Sequence, residues 1–299
     1  MSLSSMACLI LALLLVIAPG VMALESDSFT TLDGYSIPDL MSTFGTYPNP
    51  LELTEQDRAG FHSVVVFPAD EHIPVLDLRH SSDGIAPEED RKKSKKEKSL
   101  FKQLQRTIVN ISRRFRKKPL IQPRGKWAVG KYDENRVGLY STEMFEDTEN
   151  SIDGFAGQRT LHLGVDLMTN AGAKVYAFCD GVVHSAGYNS ELGDYGNVVV
   201  IQHNIPGGAK PRTVWALYGH MDAGTIRGKK PGSRILKGQV IGRVGDIHEN
   251  GGWVAPHLHF QLSIDPPATH DMPGASSIED RPRALINYPD PRYVLGPVH

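Results

Sequence analysis

Between Trp127 and Ile264 the chain runs in short alternating or apolar stretches, at Lys174–Phe178, Gly181–His184, Asn197–Gln202, Thr213–His220, Gln239–Val244 and His257–Ile264, separated by Gly, Asn, Asp and Pro. A period of two in runs this short marks strands, and the breakers between them mark hairpins, so this region predicts a mainly β domain. Upstream the period changes. Phe101, Leu104, Ile108, Ile111 and Phe115 recur at spacings of three and four, which predicts a basic amphipathic helix within residues 88–124. Residues 24–87 mix polar turns with short strand-like runs and carry no assignable chemistry. Residues 266–299 hold seven prolines and predict an irregular, mostly extended tail.

Residues 1–23 lack charged side chains, contain an apolar run from Ala7 to Ile17, and end in Pro19-Gly20 and a small-residue site at Val21-Met22-Ala23. This is the pattern of a secretory signal peptide. The run is shorter than the ~20 residues of a spanning helix. The expectation is therefore an exported chain, extracellular or periplasmic, with no transmembrane span after signal removal. With 40% hydrophobic residues and 299 positions, the chain can bury a sizeable core, which excludes collagen-like and wholly disordered classes.

Net charge is −2, so no global field points to nucleic acid, but residues 91–118 hold 13 Lys or Arg against the single acid Glu97. That basic run is read either as attachment to an anionic surface or as the solvated face of a docked helix. Asn110-Ile-Ser112 is a glycosylation sequon in a eukaryotic host. Cys8 lies in the leader and Cys179 in an apolar run, so no disulfide framework is expected and Cys179 reads as a small buried hydrophobe.

The chemistry concentrates in three segments. In Leu161-His-Leu-Gly-Val-Asp-Leu167 a strand puts His162, Gly164 and Asp166 on one face, and Gly164 leaves space for an ion to approach. In His257-Leu-His-Phe-Gln-Leu-Ser-Ile264, His257, His259, Gln261 and Ser263 share a face. His220 closes the strand-like run Thr213–His220. Imidazole and carboxylate are zinc's usual non-sulfur ligands, and a catalytic zinc site takes three protein ligands. Four histidines and one aspartate exceed that need, which leaves two histidines for proton transfer or oxyanion support. His184, His203 and His248 complete no same-face pair and read as turn or strand-edge residues. Lys237, ahead of Gly238, lacks the context of a carrier lysine. Trp253 reads equally as a cleft wall touching substrate and as a hydrophobic plug.

His162-Leu-Gly-Val-Asp166, Gly172–Ala177, Asp180–Val183, Gly196–Ile201, Leu217-Tyr-Gly-His220, Lys237–Gly242 and Pro256–Phe260 together resemble the lysostaphin-type zinc endopeptidases over about residues 125–265. The resemblance implies an antiparallel-sheet groove of the duplicated-hybrid-motif kind, one Zn²⁺ per chain held by His162, Asp166 and His259, and His220 and His257 as catalytic residues flanking the scissile carbonyl. It implies a peptide substrate, with bacterial peptidoglycan as the leading choice. Asp194-Tyr-Gly196, His248–Trp253 and Phe61–Val66 look like the version of this domain that some bacteria fuse to kinase-like and aminotransferase domains, which keeps a non-wall amide substrate in view. A non-catalytic peptide- or wall-binding protein on the same scaffold is the alternative of another class. Residues 24–124 are also read as a pro-segment that fills the cleft until removed.

Overall fold

A computed structural model describes residues 47–69, 71–81, 84, 127–146, 154–155, 157–207, 212–296 and 298, all within the compact unit Tyr47–His299. The expected signal peptide, the basic helix of residues 88–124, the basic run 91–118 and Asn110 lie outside the described residues. Among the described residues no helix is long and apolar enough to cross a membrane.

The predicted β domain is observed. Its strands are β1 (Val75–Leu76), β2 (Ala128–Gly130), β3 (Leu161–His162), β4 (Val165–Met168), β5 (Lys174–Tyr176), β6 (Gly181–Asn189), β7 (Gly196–Ile205), β8 (Arg212–Met221), β9 (Arg234–Ile235), β10 (Val240–Arg243), β11 (His257–Ser263) and β12 (Ala275–Ser276). Eight of them form one sheet in the order β1-β2-β4-β11-β8-β7-β6-β9, while β5 pairs with β10 and β3 with β12. Every pairing is antiparallel except β1 with β2. A short helix, α1 (Glu55–Ala59), opens with a Thr54–Asp57 capping box and is tied to β8 by the Arg212–Asp57 ion pair at 2.7 Å.

Alternation in β11 does not produce one dry and one wet face: all seven of its residues are buried. On one side Phe260 packs with Tyr218 and Phe178, and Leu258 and Leu262 are fully buried. The opposite side is covered by the chain after Pro266, which brings Met272, Ala284 and Tyr288 into a cluster with Leu163, Val198 and Leu217.

That covering corrects the reading of residues 266–299 as an extended tail. The stretch is irregular only as far as Gly274, then forms β12, α2 (Arg281–Asn287) and α3 (Arg292–Leu295). The prolines permit this by position. Pro282 lies in the first turn of α2 and Pro291 is the N-cap of α3, where no intrahelical N–H is required. The Pro291 carbonyl accepts from the Val294 and Leu295 amides.

His203 is also corrected. It is fully buried in β7 opposite Val214, its Nδ1 2.9 Å from the Cys179 carbonyl and its Nε2 3.1 Å from the Tyr218 hydroxyl. It is a hydrogen-bonded core residue, not a strand-edge one, and burial lowers its pKa to about 4. Cys179 is buried and free, as expected.

Candidate metal and catalytic site

Register brings the sequence candidates together. Across β4 and β11, Asp166 stands opposite His259, and across β11 and β8, His259 stands opposite Gly219. His162 enters from β3. His162 Nε2 lies 3.1 Å from His259 Nδ1 and 3.3 Å from Asp166 Oδ1, and His259 Nδ1 lies 3.2 Å from Asp166 Oδ1. Among the described residues these three form a group of donors able to hold a metal ion.

The chain before and after these residues sets which atom each presents. His162 Nδ1 donates to the Lys131 carbonyl at 2.7 Å, which leaves Nε2 as the free lone pair. His259 is the reverse: Nε2 donates to Gln261 Oε1 at 2.9 Å, so Nδ1 faces the triad. Gln261 is held in that orientation because its Nε2 donates to the Pro273 carbonyl at 3.0 Å. Asp166 accepts from Arg136 Nη1 at 2.6 Å through Oδ2, and Oδ1 points to the two imidazoles.

Gly164 is needed here, though not as a free approach path for an ion. A Cβ on it would lie 2.4 Å from His259 Cε1 and 2.5 Å from His259 Nε2. The space is filled by the His259 ring. The expected single strand over 161–167 is accordingly broken into β3 and β4 around Leu163-Gly164.

His220 reaches the same cluster through a bulge. Pairing of β7 with β8 runs to Val199↔Tyr218 and resumes at Asn197↔Met221, so Gly219 and His220 together face Val198. His220 has φ +62°, a left-handed conformation unusual for a residue with a side chain. Unbroken alternation would put it on the face of Tyr218, against Phe260. The bulge instead places its ring 4.4 Å from that of His257 and 6.0 Å from that of His259. His220 Nδ1 donates to the Asn250 carbonyl and His257 Nδ1 to the Ala255 carbonyl, both at 2.8 Å, which leaves each Nε2 as an acceptor. His257 Nε2 is 3.8 Å from Asp166 Oδ1.

Burial sets the charge states. It pulls the His162 pKa down to about 4, with Arg136 adding to the effect. It also pulls His220 well below the ordinary value, reinforced by His257 and His259, and lowers His257. Burial works against an ionised Asp166, but the His162 and Arg136 contacts outweigh it and hold the carboxyl well below the usual range. The resting site holds an anionic Asp166 carboxylate beside neutral His162, His220 and His257.

Asp166, His220, His257 and His259 line a cleft of about 1050 Å³, with His162 fully buried behind it. Leu78, Tyr140, Phe145 and Trp253 provide an apolar side, and Asp194 and Asp271 an acidic one. Trp253 is both part of the cleft wall and a hydrophobic plug: it is 8% exposed within a cluster with Leu139, Tyr140 and Phe145, and its ring lies 5.7 Å from that of His220 and 5.8 Å from that of His257. Lys237 is remote from this chemistry, its Nζ donating to the Gly60 carbonyl. The sequence reading missed Arg136, which no local pattern marks, and Asn250, which sits inside the quoted His248–Trp253 segment without a role.

Residues 160–270 match the model of Peptidase family M23. It is 29% identical over 125 residues to the L-Ala–D-Glu endopeptidase of Bacillus subtilis strain 168, covering 40% of this chain. The chain spans only 35% of the length of that curated relative. Among solved structures, a zinc-containing peptidase from Vibrio cholerae is similar at 28% identity over 39% of this chain and 31% of its own, with a TM-score of 0.28. The catalytic domain of lysostaphin from Staphylococcus simulans is similar at 24% identity over 46% of this chain and 88% of its own, with a TM-score of 0.29.

Proposed function

We propose that this protein is an exported zinc metalloendopeptidase that hydrolyses peptide bonds of bacterial peptidoglycan, with His162, Asp166 and His259 as metal ligands and His220 and His257 as catalytic residues. The observation that carries the metal assignment is the spacing of the three donors, 3.1, 3.2 and 3.3 Å. Ligands about 2.0–2.1 Å from a tetrahedral zinc stand about 3.3–3.4 Å apart, so the donor set suits that ion without rearrangement. Two imidazoles and one carboxylate also suit zinc better than calcium or magnesium, which prefer more oxygens.

Bound there, zinc supplies Lewis acidity toward the scissile carbonyl and acidifies water. The remaining steps belong to the chain. His220 and His257 enter the reaction neutral, each with its Nδ1–H engaged by a backbone carbonyl, so a free Nε2 accepts the proton of the attacking water. Once protonated, that Nε2 is a donor, and it passes the proton to the departing amine nitrogen as the C–N bond breaks. Only when its own Nε2 carries a proton does the second imidazole, 4.4 Å away ring to ring, donate to the carbonyl oxygen that gains charge. Trp253 and Tyr140 line the cleft beside these groups and limit water there.

A peptide substrate is supported by the likeness to the L-Ala–D-Glu endopeptidase of Bacillus subtilis, and export by the leader-like residues 1–23. The test is zinc stoichiometry on the purified chain together with release of new amino termini from peptidoglycan, with and without chelator. One zinc and chelator-sensitive release bear the reading out. Cleavage restricted to peptides unrelated to the wall replaces the substrate, and bound zinc without hydrolysis of either replaces the enzyme with a binding protein.

A further inference from the structure

The metal cluster is backed by a buried chain of charges that leads away from it to a segment upstream of the peptidase domain. Arg136 is 2% exposed. Its Nη1 donates to Asp166 Oδ2 at 2.6 Å and to the Tyr140 hydroxyl at 3.2 Å, and its Nη2 donates to the Lys131 carbonyl at 3.2 Å. That carbonyl is the one that orients His162. One guanidinium therefore touches Asp166 directly and shares the carbonyl that orients His162. Its Nε donates to Glu134 Oε2 at 3.0 Å, and Glu134 Oε1 accepts the backbone N–H of Leu78 at 3.0 Å. Leu78 follows β1, which adds in parallel to the edge of β2 with Val75 opposite Val129.

We infer that Arg136 is a positioning residue for the metal site and that residues 74–78 complete it, through the relay Leu78 N–H to Glu134 to Arg136 to Asp166. This rests on the metal reading above. Holding Oδ2 leaves Asp166 to present Oδ1 alone toward the imidazoles. Glu134 pairs with the guanidinium at 3.0 Å and with Lys131 Nζ at 3.7 Å, so it offsets part of the positive charge that stands behind the metal ligands. The two consequences have opposite signs on substitution. If Arg136 acted on the metal by charge alone, removing it would tighten binding; if it orients Asp166, removing it weakens binding.

The experiment measures zinc affinity of the full chain by competition with a chromogenic chelator, and melting of each metal-free variant. Arg136→Met is expected to bind zinc about 10- to 100-fold more weakly, the usual effect of losing an outer partner of a ligand, with Arg136→Lys recovering part of the loss. Glu134→Gln is expected to weaken binding as well, because that offset is then lost. Leu78→Pro, which lacks the N–H, is expected to bind several-fold more weakly than Leu78→Ala, which keeps it. Wild-type or tighter affinity in Arg136→Met overturns the positioning role, and equal affinities for the two Leu78 variants overturn the part given to residues 74–78. Should Arg136→Met not fold, the Lys and Leu78 variants decide. A wild-type chain that binds no zinc removes the metal reading and this inference together.

Discussion

The imidazole of His259 occupies the place where Gly164 would carry a side chain, with Nε2 2.5 Å from the position of a Cβ. A glycine between β3 and β4 is thus required because of a ring supplied almost a hundred positions later. Gly164→Ala is expected to push His259 out of the triad, at a cost of about 1–3 kcal/mol for the overlap. Elemental analysis should find zinc strongly depleted while circular dichroism still reports a β fold; full zinc occupancy would show that the ring has room to move.

His259 and His220 separate ligand from catalyst. His259→Ala removes one of three donors and is expected to lose zinc and activity together. His220→Ala leaves the donor triad intact, so it should keep one zinc per chain and lose about 100-fold or more in kcat, the usual worth of a proton-transfer group. Full turnover in either variant contradicts the assignment.

The pH–rate profile follows from burial. His220 and His257 are held below the ordinary histidine pKa of about 6.5, so both are neutral acceptors at pH 7. kcat/KM is expected to stay level from neutral pH down to about 6.5 and to fall only at lower pH, as a required base gains its proton. An acid limb centred above pH 7 would mean that the base is another group.

His203 makes a separate prediction about stability. Its pKa is about 4 when folded and about 6.5 when unfolded, so below pH 6.5 the unfolded chain binds the extra proton and stability falls, levelling off below pH 4. The full effect is at most about 3 kcal/mol for this one residue. Denaturant melts of wild type and His203→Asn between pH 7 and 4 should show a shallower pH slope in the variant. Parallel slopes would place the acid sensitivity elsewhere.

From the amino-acid sequence alone, the β class and the five polar residues that the fold brings together were legible, because strand alternation and residue chemistry are local properties. His162, Asp166, His257 and His259 could be read as facing residues from a period of two. What alternation could not supply was anything that depended on a neighbouring strand. His220 reaches the cluster only because a bulge opposite Val198 turns it off the face of Tyr218. His203 is a core residue because β7 is an interior strand. Arg136 became part of the site when folding buried its guanidinium against Asp166, and one charged residue among several in an irregular stretch carries no sign of that in one dimension. The tail after Pro266 forms helices because prolines at helix starts do not break them, and because the polar face of β11 needed a cover. Local pattern chose the strands and the reactive side chains; register, bulge and burial decided which of them meet and in what charge state, since those are set by contacts between segments far apart in the chain.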